Sequence, residues 1–374
     1  MKVLHLIDSG GLYGAERMLL TLAAEQLAQG LSPMILSAGE PQIGDKPIEI
    51  EARRLKIPVT PWRMKPGFNL KGSAEIITWA RAEGFQLLHS HGYKFNVLMG
   101  LWPERTRKLP LVATLHGYVK GPRFTKSWLY ESVDRMVLAR MRQVVLVSEA
   151  MRQQVPKRIA HSDRTSVVAN GLSTQSVREL ANQPISEAIE TFIAGCDRFI
   201  LGVGRLSAEK GFDRLIAAFA VLRKQHPRLG LVIVGEGKQR AALEEQAKAL
   251  GVSEGVLLPG FVQPVPPLMK RTLVLCMPSL TEGLPITLLE AMTLEVPVVA
   301  CDVGEIANVL GQGKGGRVFH YRDAETLAAE LESVISGGAE VSERLRWASQ
   351  RVESDFSGKS MTHSYTRIYE RAVT

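Results

Sequence analysis

The sequence predicts an α/β protein built from two doubly wound parallel sheets. Short apolar runs alternate with longer stretches of helical period along the chain, which is the pattern of stacked βα units. The alternation breaks once, over a polar, turn-rich stretch at 170–197, and then resumes. At 374 residues the chain exceeds one typical core and suits two, each of roughly 150 to 200 residues.

The first series opens with a strand at 3–7, which runs into a glycine-rich loop. A helix at 15–29 carries Ala15, Met18, Leu19, Leu22 and Ala23 on one face. A strand at 33–37, a helix at 74–82 and strands at 87–91, 111–115, 144–148 and 166–169 complete this half. The linker is expected at 170–197. The second series has strands at 199–203, 231–234, 256–258, 273–277 and 298–300, separated by helices at 212–225, 240–250, 266–270 and 285–294. Residues 348–372, with Phe356, Met361, Tyr365, Ile368 and Tyr369, read as a closing helix that packs back across the domains. The expected domains are 1–178, joined by the last helix at about 355–374, and 179–354.

Composition narrows the class. Apolar residues at 45% and charged residues at 22% suit a soluble globular protein. The longest apolar runs are strand-length, far short of the roughly 20 residues of a membrane span, and the first apolar stretch is too short for a signal peptide. Cys196, Cys276 and Cys301 lack CxxC spacing and lie in or beside apolar strands, as buried thiols in a reducing cytosol do. A net charge of +8 favours anionic surfaces. No cluster of Lys and Arg with interleaved aromatics marks a nucleic-acid binder. The segment 124–142 mixes Trp128, Val133 and Val137 with Lys126, Arg135 and Arg140. A core-facing helix explains that spacing better than an interfacial membrane helix does.

Candidate chemistry concentrates in the second half. Glu282 and Glu290 lie eight residues apart in Thr281-Glu-Gly-Leu-Pro-Ile-Thr-Leu-Leu-Glu290. Pro285 suits the first helical position, so Gly283 and Leu284 would present backbone N–H groups at a positive helix end. With ~1.5 Å rise per residue, Glu290 falls ~8 Å beyond Pro285, and the two carboxylates can hold different parts of one elongated ligand. A nucleoside diphosphate sugar has that length. Upstream, Arg205 and Lys210 sit in Gly202-Val-Gly-Arg-Leu-Ser-Ala-Glu-Lys-Gly211, between a strand and a helix. There two cations can converge on a diphosphate without a metal.

In the first half, Gly10, Gly11 and Gly14 precede a helix whose start could approach a phosphate, though their spacing is not the GxGxxG of dinucleotide sites. His116 ends a strand, a position typical of functional groups. His89 and His91 form an H-x-H pair with no third metal ligand evident in the sequence.

These residues carry a resemblance to the retaining glycosyltransferases of family four, which have the GT-B fold. Gly204-Arg205 with Glu209-Lys210-Gly211 and the run Glu282 to Glu290 match its signatures, and so do Gly14-Ala-Glu16, Thr114-Leu-His116-Gly, Val147-Ser-Glu149, Asn170-Gly171, Val234-Gly-Glu-Gly237 and Pro259-Gly-Phe261. The similarity spans nearly the whole chain. It departs at Leu172-Ser173, where the family often has aspartate, and at Gly304-Glu305-Ile306, where it often has Gly-Gly-x-x-Glu.

The resemblance implies two Rossmann-like domains facing a central cleft, the first binding acceptor and the second donor. It makes Arg205, Lys210, Glu282 and His116 the catalytic set. Arg205 and Lys210 would hold the diphosphate, Glu282 the sugar hydroxyls and Glu290 the ribose, while His116 would lie beside the transferred sugar. Gly10, Gly11, Gly14, Gly204, Gly260, Phe261, Val262, Gly283, Leu284 and Pro285 would complete the donor site. Tyr13, Lys94, Lys120 and Arg123 would face the acceptor. The expected reaction moves a hexose from a UDP-sugar, or from GDP-mannose, to a lipid-linked or polysaccharide hydroxyl in cell-surface glycan synthesis. No cofactor or metal and no nucleic-acid partner are expected, and the location would be cytoplasmic with peripheral contact to anionic membrane. A nucleotide-sugar epimerase or sugar phosphorylase on the same architecture is the related alternative, and a non-catalytic nucleotide-sugar-binding module is the alternative of another class.

Overall fold

A computed structural model describes residues 1–8, 11–12, 14–116, 126–337 and 339–374. The chain divides into two compact units, Met1–Gly171 with Gly358–Thr374, and Leu172–Ser357.

The first unit holds seven strands: β1 (Lys2–Ile7), β2 (Ser32–Gly39), β3 (Val59–Arg63), β4 (Leu87–Ser90), β5 (Leu111–Leu115), β6 (Gln143–Leu146) and β7 (Thr165–Val167). They pair in parallel in the order β3-β2-β1-β4-β5-β6-β7. Successive strand residues face opposite sides, so the sheet feeds two cores. Leu4, Leu6, Leu88, Leu111 and Ala113 fill one. Val3, Leu87, Val112 and Val145 fill the other against Met361, Tyr365, Ile368 and Tyr369 of the last helix, Gly358–Val373. Burial on both faces is why these strands read as continuous apolar runs. Strand β3 escapes that reading because it is a half-exposed edge containing Pro61, a position where proline is tolerated.

The second unit holds β8 (Arg198–Val203), β9 (Leu229–Val234), β10 (Val256–Gly260), β11 (Val274–Met277), β12 (Val298–Cys301) and β13 (Arg317–Phe319), also parallel, in the order β10-β9-β8-β11-β12-β13. Each sheet reverses direction of growth once, between β1 and β4 and between β8 and β11. Ligands of open parallel sheets bind beyond the carboxyl ends of the strands at such points.

Three expectations need correction. The stretch 170–197 is not an open linker, because it contains the helices Thr174–Leu180 and Glu187–Ala194. Their buried Val177, Ile189 and Ile193 are too few to mark a helical period, but Ser173 caps the first helix by accepting from the Ser176 amide. The closing helix is broken. Helix Ala339–Arg351 ends in a π turn at Val352–Phe356, and extended Ser357 precedes Gly358–Val373. The break lets Ala348, Val352 and Phe356 face the second unit while Met361, Tyr365 and Tyr369 face the first. Pro285 is the cap before the helix Ile286–Thr293, one position earlier than expected.

The helix Lys126–Leu138 buries Asp134, Val137 and Leu138, as a core-facing helix does. Among the described residues no helix is long and apolar enough to cross a membrane.

Candidate active site

In the second unit, five strand-end loops are stitched together. The loop after β8 donates from the Gly204 amide to Val234 and from the Leu206 amide to Glu236. The loop after β11 donates from Leu280 to the Glu209 carbonyl at 2.8 Å, and Glu305, after β12, donates to the Gly283 carbonyl at 3.3 Å. At the end of β10, Gly260 accepts from the Gly235 amide at 2.9 Å. Two glycines make the close approaches possible. Gly211 has φ +64°, and a Cβ there would lie 2.3 Å from the Pro278 carbonyl oxygen; at Gly304, with φ +58°, it would lie 2.0 Å from the Glu282 carbonyl oxygen. No other residue fits either position without moving the neighbouring loop.

This stitching brings Lys210, after β8, to Glu282, after β11, across the switch point. Lys210 Nζ is 2.6 Å from Glu282 Oε1, and the Ser279 hydroxyl donates to the same oxygen at 2.7 Å. The Glu282 side chain is 8% exposed and that of Lys210 24%, so solvent reaches the cation more than the anion. Glu209 lies near both Arg205 and Lys210. Its carboxyl is held below the usual carboxylate range first by the Ser207 hydroxyl, then by its own amide, with both cations adding to the effect. Arg205 itself is exposed. The helix Ile286–Thr293 starts without a side-chain cap and carries half-buried Glu290, beside exposed Gly283 and half-buried Leu284. Phe261 follows Gly260 at 75% exposure, next to half-buried Val262.

The first unit gathers a different set. Strands β1, β4 and β5 place His5, His89, His91 and His116 in contact. His5 Nδ1 lies 3.0 Å from His91 Nε2, and His91 Nδ1 lies 3.3 Å from His116 Nε2. His5 Nε2 meets Gln26 Oε1 at 2.8 Å; His89 lies between the Tyr369 hydroxyl at 2.7 Å and Thr114 at 2.8 Å. Burial lowers all four: His5 and His116 to about 4, and His89 and His91 well below the ordinary range, where neighbouring imidazoles add to the effect. The H-x-H pair therefore does have a third imidazole nearby, since ligand nitrogens of His5, His89 and His91 lie within 4.8 Å of one another. Those nitrogens hydrogen-bond each other and polar side chains, bonds that an ion would have to displace.

Lys94, expected to face the acceptor, is ion-paired and largely buried. Its Nζ lies 2.7 Å from Asp8 Oδ2, and buried Lys46 reaches Asp8 Oδ1 at 3.4 Å. Asp8 follows β1 at the switch point and draws both cations inward. Gly11 is buried and Gly14 begins the helix Gly14–Ala28. Gly10, Tyr13, Lys120 and Arg123 lie outside the described residues. The sequence reading missed Gln26, Asp8 and Ser279. A lone glutamine on the apolar face Leu19, Leu22, Ala23 was the available signal for Gln26.

Comparison with known proteins identifies the family. A model of the glycosyltransferase family four matches residues 13–176, and a model of the glycosyl transferases group 1 matches residues 187–352. The chain belongs to the family-four glycosyltransferases. A glycogen synthase of Mycobacterium tuberculosis is 27% identical over 277 residues, 70% of this chain and 63% of that protein. The chain thus spans less than two thirds of that relative's length. A 2-deoxystreptamine N-acetyl-D-glucosaminyltransferase of Niallia circulans is 21% identical, covering 79% of this chain and 78% of the relative. In structure, Anabaena HepE in complex with UDP matches 99% of this chain and 100% of its own at a TM-score of 0.78 and 21% identity. Its complex with UDP-glucose matches at 0.74 and 22% identity, covering 99% of both chains. These likenesses establish the GT-B fold for this family-four glycosyltransferase.

Proposed function

We propose that the chain transfers a hexose, with retention, from a nucleoside diphosphate sugar to a hydroxyl of a lipid-linked or polysaccharide acceptor in cell-surface glycan synthesis. The observation that carries this reading is the meeting of Lys210 and Glu282 at the β8/β11 switch point, beside an uncapped helix start. A UDP-sugar is the favoured donor, with GDP-mannose second, and the solved complexes of HepE with UDP and UDP-glucose support that order.

In this reading the anomeric carbon–phosphate oxygen bond breaks as the acceptor oxygen bonds to the same carbon. The acceptor proton passes to a phosphate oxygen of the departing diphosphate. Lys210 and Arg205 stabilise the charge that grows on that diphosphate, an interaction stronger in the transition state than in the bound donor. In the ligand-free site Glu282 occupies the Lys210 ammonium. An incoming diphosphate competes for that ammonium and releases Glu282 to accept from sugar hydroxyls. Glu290 accepts from the ribose, and the free amides at the start of Ile286–Thr293 favour the anion. The first unit binds acceptor and the second binds donor. No metal takes part, since the cations and the helix start supply the positive charge. The enzyme works in the cytosol, with its excess of basic residues favouring approach to anionic membrane.

Calorimetric titration with UDP, GDP, ADP and their sugar conjugates, first without metal and then with magnesium, tests this. Selective, metal-independent binding that is lost in Arg205→Ala is expected. Absence of binding to every nucleotide would overturn the reading.

A further inference from the structure

Four histidines of the first unit, His5, His89, His91 and His116, form two hydrogen-bonded branches that meet at one side chain. Gln26, fully buried on the helix Gly14–Ala28, presents Oε1 to His5 Nε2 at 2.8 Å and Nε2 to the Tyr369 hydroxyl at 3.2 Å. A neutral imidazole has one N–H and one lone pair, so a bond at one nitrogen fixes the role of the other. The amide oxygen only accepts. His5 therefore donates from Nε2 and accepts at Nδ1. His91 must then donate from Nε2 to His5 and accept at Nδ1, which makes His116 the donor at its own Nε2. The other branch follows from the amide nitrogen, which only donates. Tyr369 accepts from it and donates to His89 Nδ1, leaving the His89 Nε2–H for the Thr114 hydroxyl.

We infer that Gln26 is a positioning residue that acts through His5 and His91 to hold His116 as the Nε2–H tautomer, keeping Nδ1 as a lone-pair acceptor. Gln26 reaches His116 only through two intervening rings, so this role is not a contact. The relay works only while every ring is neutral. Burial provides that by lowering His5 and His116 to about 4 and the two middle rings further. Among the described residues the charged group that acts on His116 is Glu16, which favours its protonation but is outweighed by burial. Capture of a His116 Nδ1 proton by Glu16 is the competing arrangement, and it requires every bond of the branch to reverse.

The consequence for catalysis rests on the transferase reading above. Beside a transferred sugar, His116 Nδ1 accepts from a sugar hydroxyl and cannot donate to a ring or phosphate oxygen. The tautomer itself does not depend on that reading.

The test is ¹⁵N–¹H correlation NMR of the ligand-free full chain labelled in histidine, with His116 assigned by its loss in His116→Phe. The expected spectrum at pH 7 shows protonated Nε2 and unprotonated Nδ1 on His116. A protonated Nδ1 would overturn the inference from the wild-type protein alone. In Gln26→Leu, which keeps the volume and removes the amide, a mixture of His116 tautomers is expected; an unchanged tautomer would remove Gln26 from the relay. The same variant should lower the affinity ratio between UDP-sugar and UDP in proportion to the share of His116 left in the Nε2–H form, about twofold for an equal mixture, with UDP binding itself unchanged. An unchanged ratio would sink the sugar contact. Failure of the wild type to bind UDP at all would sink the transferase reading and leave the tautomer result standing.

Discussion

Mild acid should unfold the first unit before the second. An unfolded histidine takes up a proton as pH falls through about 6.5, whereas His5 and His116 in the folded unit wait until about 4. Between those values the unfolded chain binds more protons, so stability is fully present above pH 6.5 and falls as the pH drops toward 4. From pH 7 to pH 5 the linkage relation gives a loss of about 2 kcal/mol for each of these rings, or about 4 kcal/mol for the pair. His89 and His91, lowered still further, move in the same direction. That is a large fraction of the ~5–15 kcal/mol by which domains are stable. The second unit has no such buried cluster among its described residues. A carboxylate held low, such as Glu49, where burial is outweighed by hydrogen bonds from Arg63 and the Lys46 amide, loses its stabilisation mainly as the pH falls below its ordinary value of 4.5, under the pH 5 of this comparison. Hydrogen exchange followed by mass spectrometry at pH 7 and pH 5, normalised for intrinsic rates, resolves the two units. Peptides from β1, β4 and β5 should lose protection at pH 5 while those from β8, β9 and β11 keep it. Equal retention in both units, or earlier loss in the second, would refute the argument that these imidazoles are buried and neutral.

Other outcomes follow from the second unit's site. Lys210→Ala should lower kcat by about 100-fold, the scale of one transition-state charge contact, with a much smaller change in donor affinity; wild-type kinetics would refute its phosphate role. Glu290→Ala should instead raise the Kd for nucleotide while leaving kcat at saturation close to wild type, read by calorimetry and steady-state rates. Gly304→Ala places a methyl against the Glu282 carbonyl at a positive φ, so it should cost about 1–3 kcal/mol of stability and weaken donor binding; an unshifted Tm would show that the loop has room to spare. Treatment with EDTA should leave transfer unchanged, and a loss restored by magnesium would overturn the metal-free mechanism.

The sequence by itself determined the class of this protein. Strands buried on both faces, such as Val3 to Ile7 and Leu231 to Val234, leave continuous apolar runs whatever their neighbours are. The loop groups Lys210 and Glu282 follow such strands, so their place at strand ends was readable from local pattern. Pairing across the sheet was not. Lys210 and Glu282 are 72 residues apart, and their 2.6 Å contact exists because β8 and β11 are neighbours at the switch point. Short helices such as Thr174–Leu180 bury one side chain and show no period. The break at Ser357, which separates two helices that have different partners, is visible only once those partners are in place. His5, Gln26, His91 and Tyr369 each look like an isolated polar group on an apolar face. Only the tertiary structure turns them into one network, because a buried polar group must find a partner and its partner can come from any strand that passes within hydrogen-bond reach.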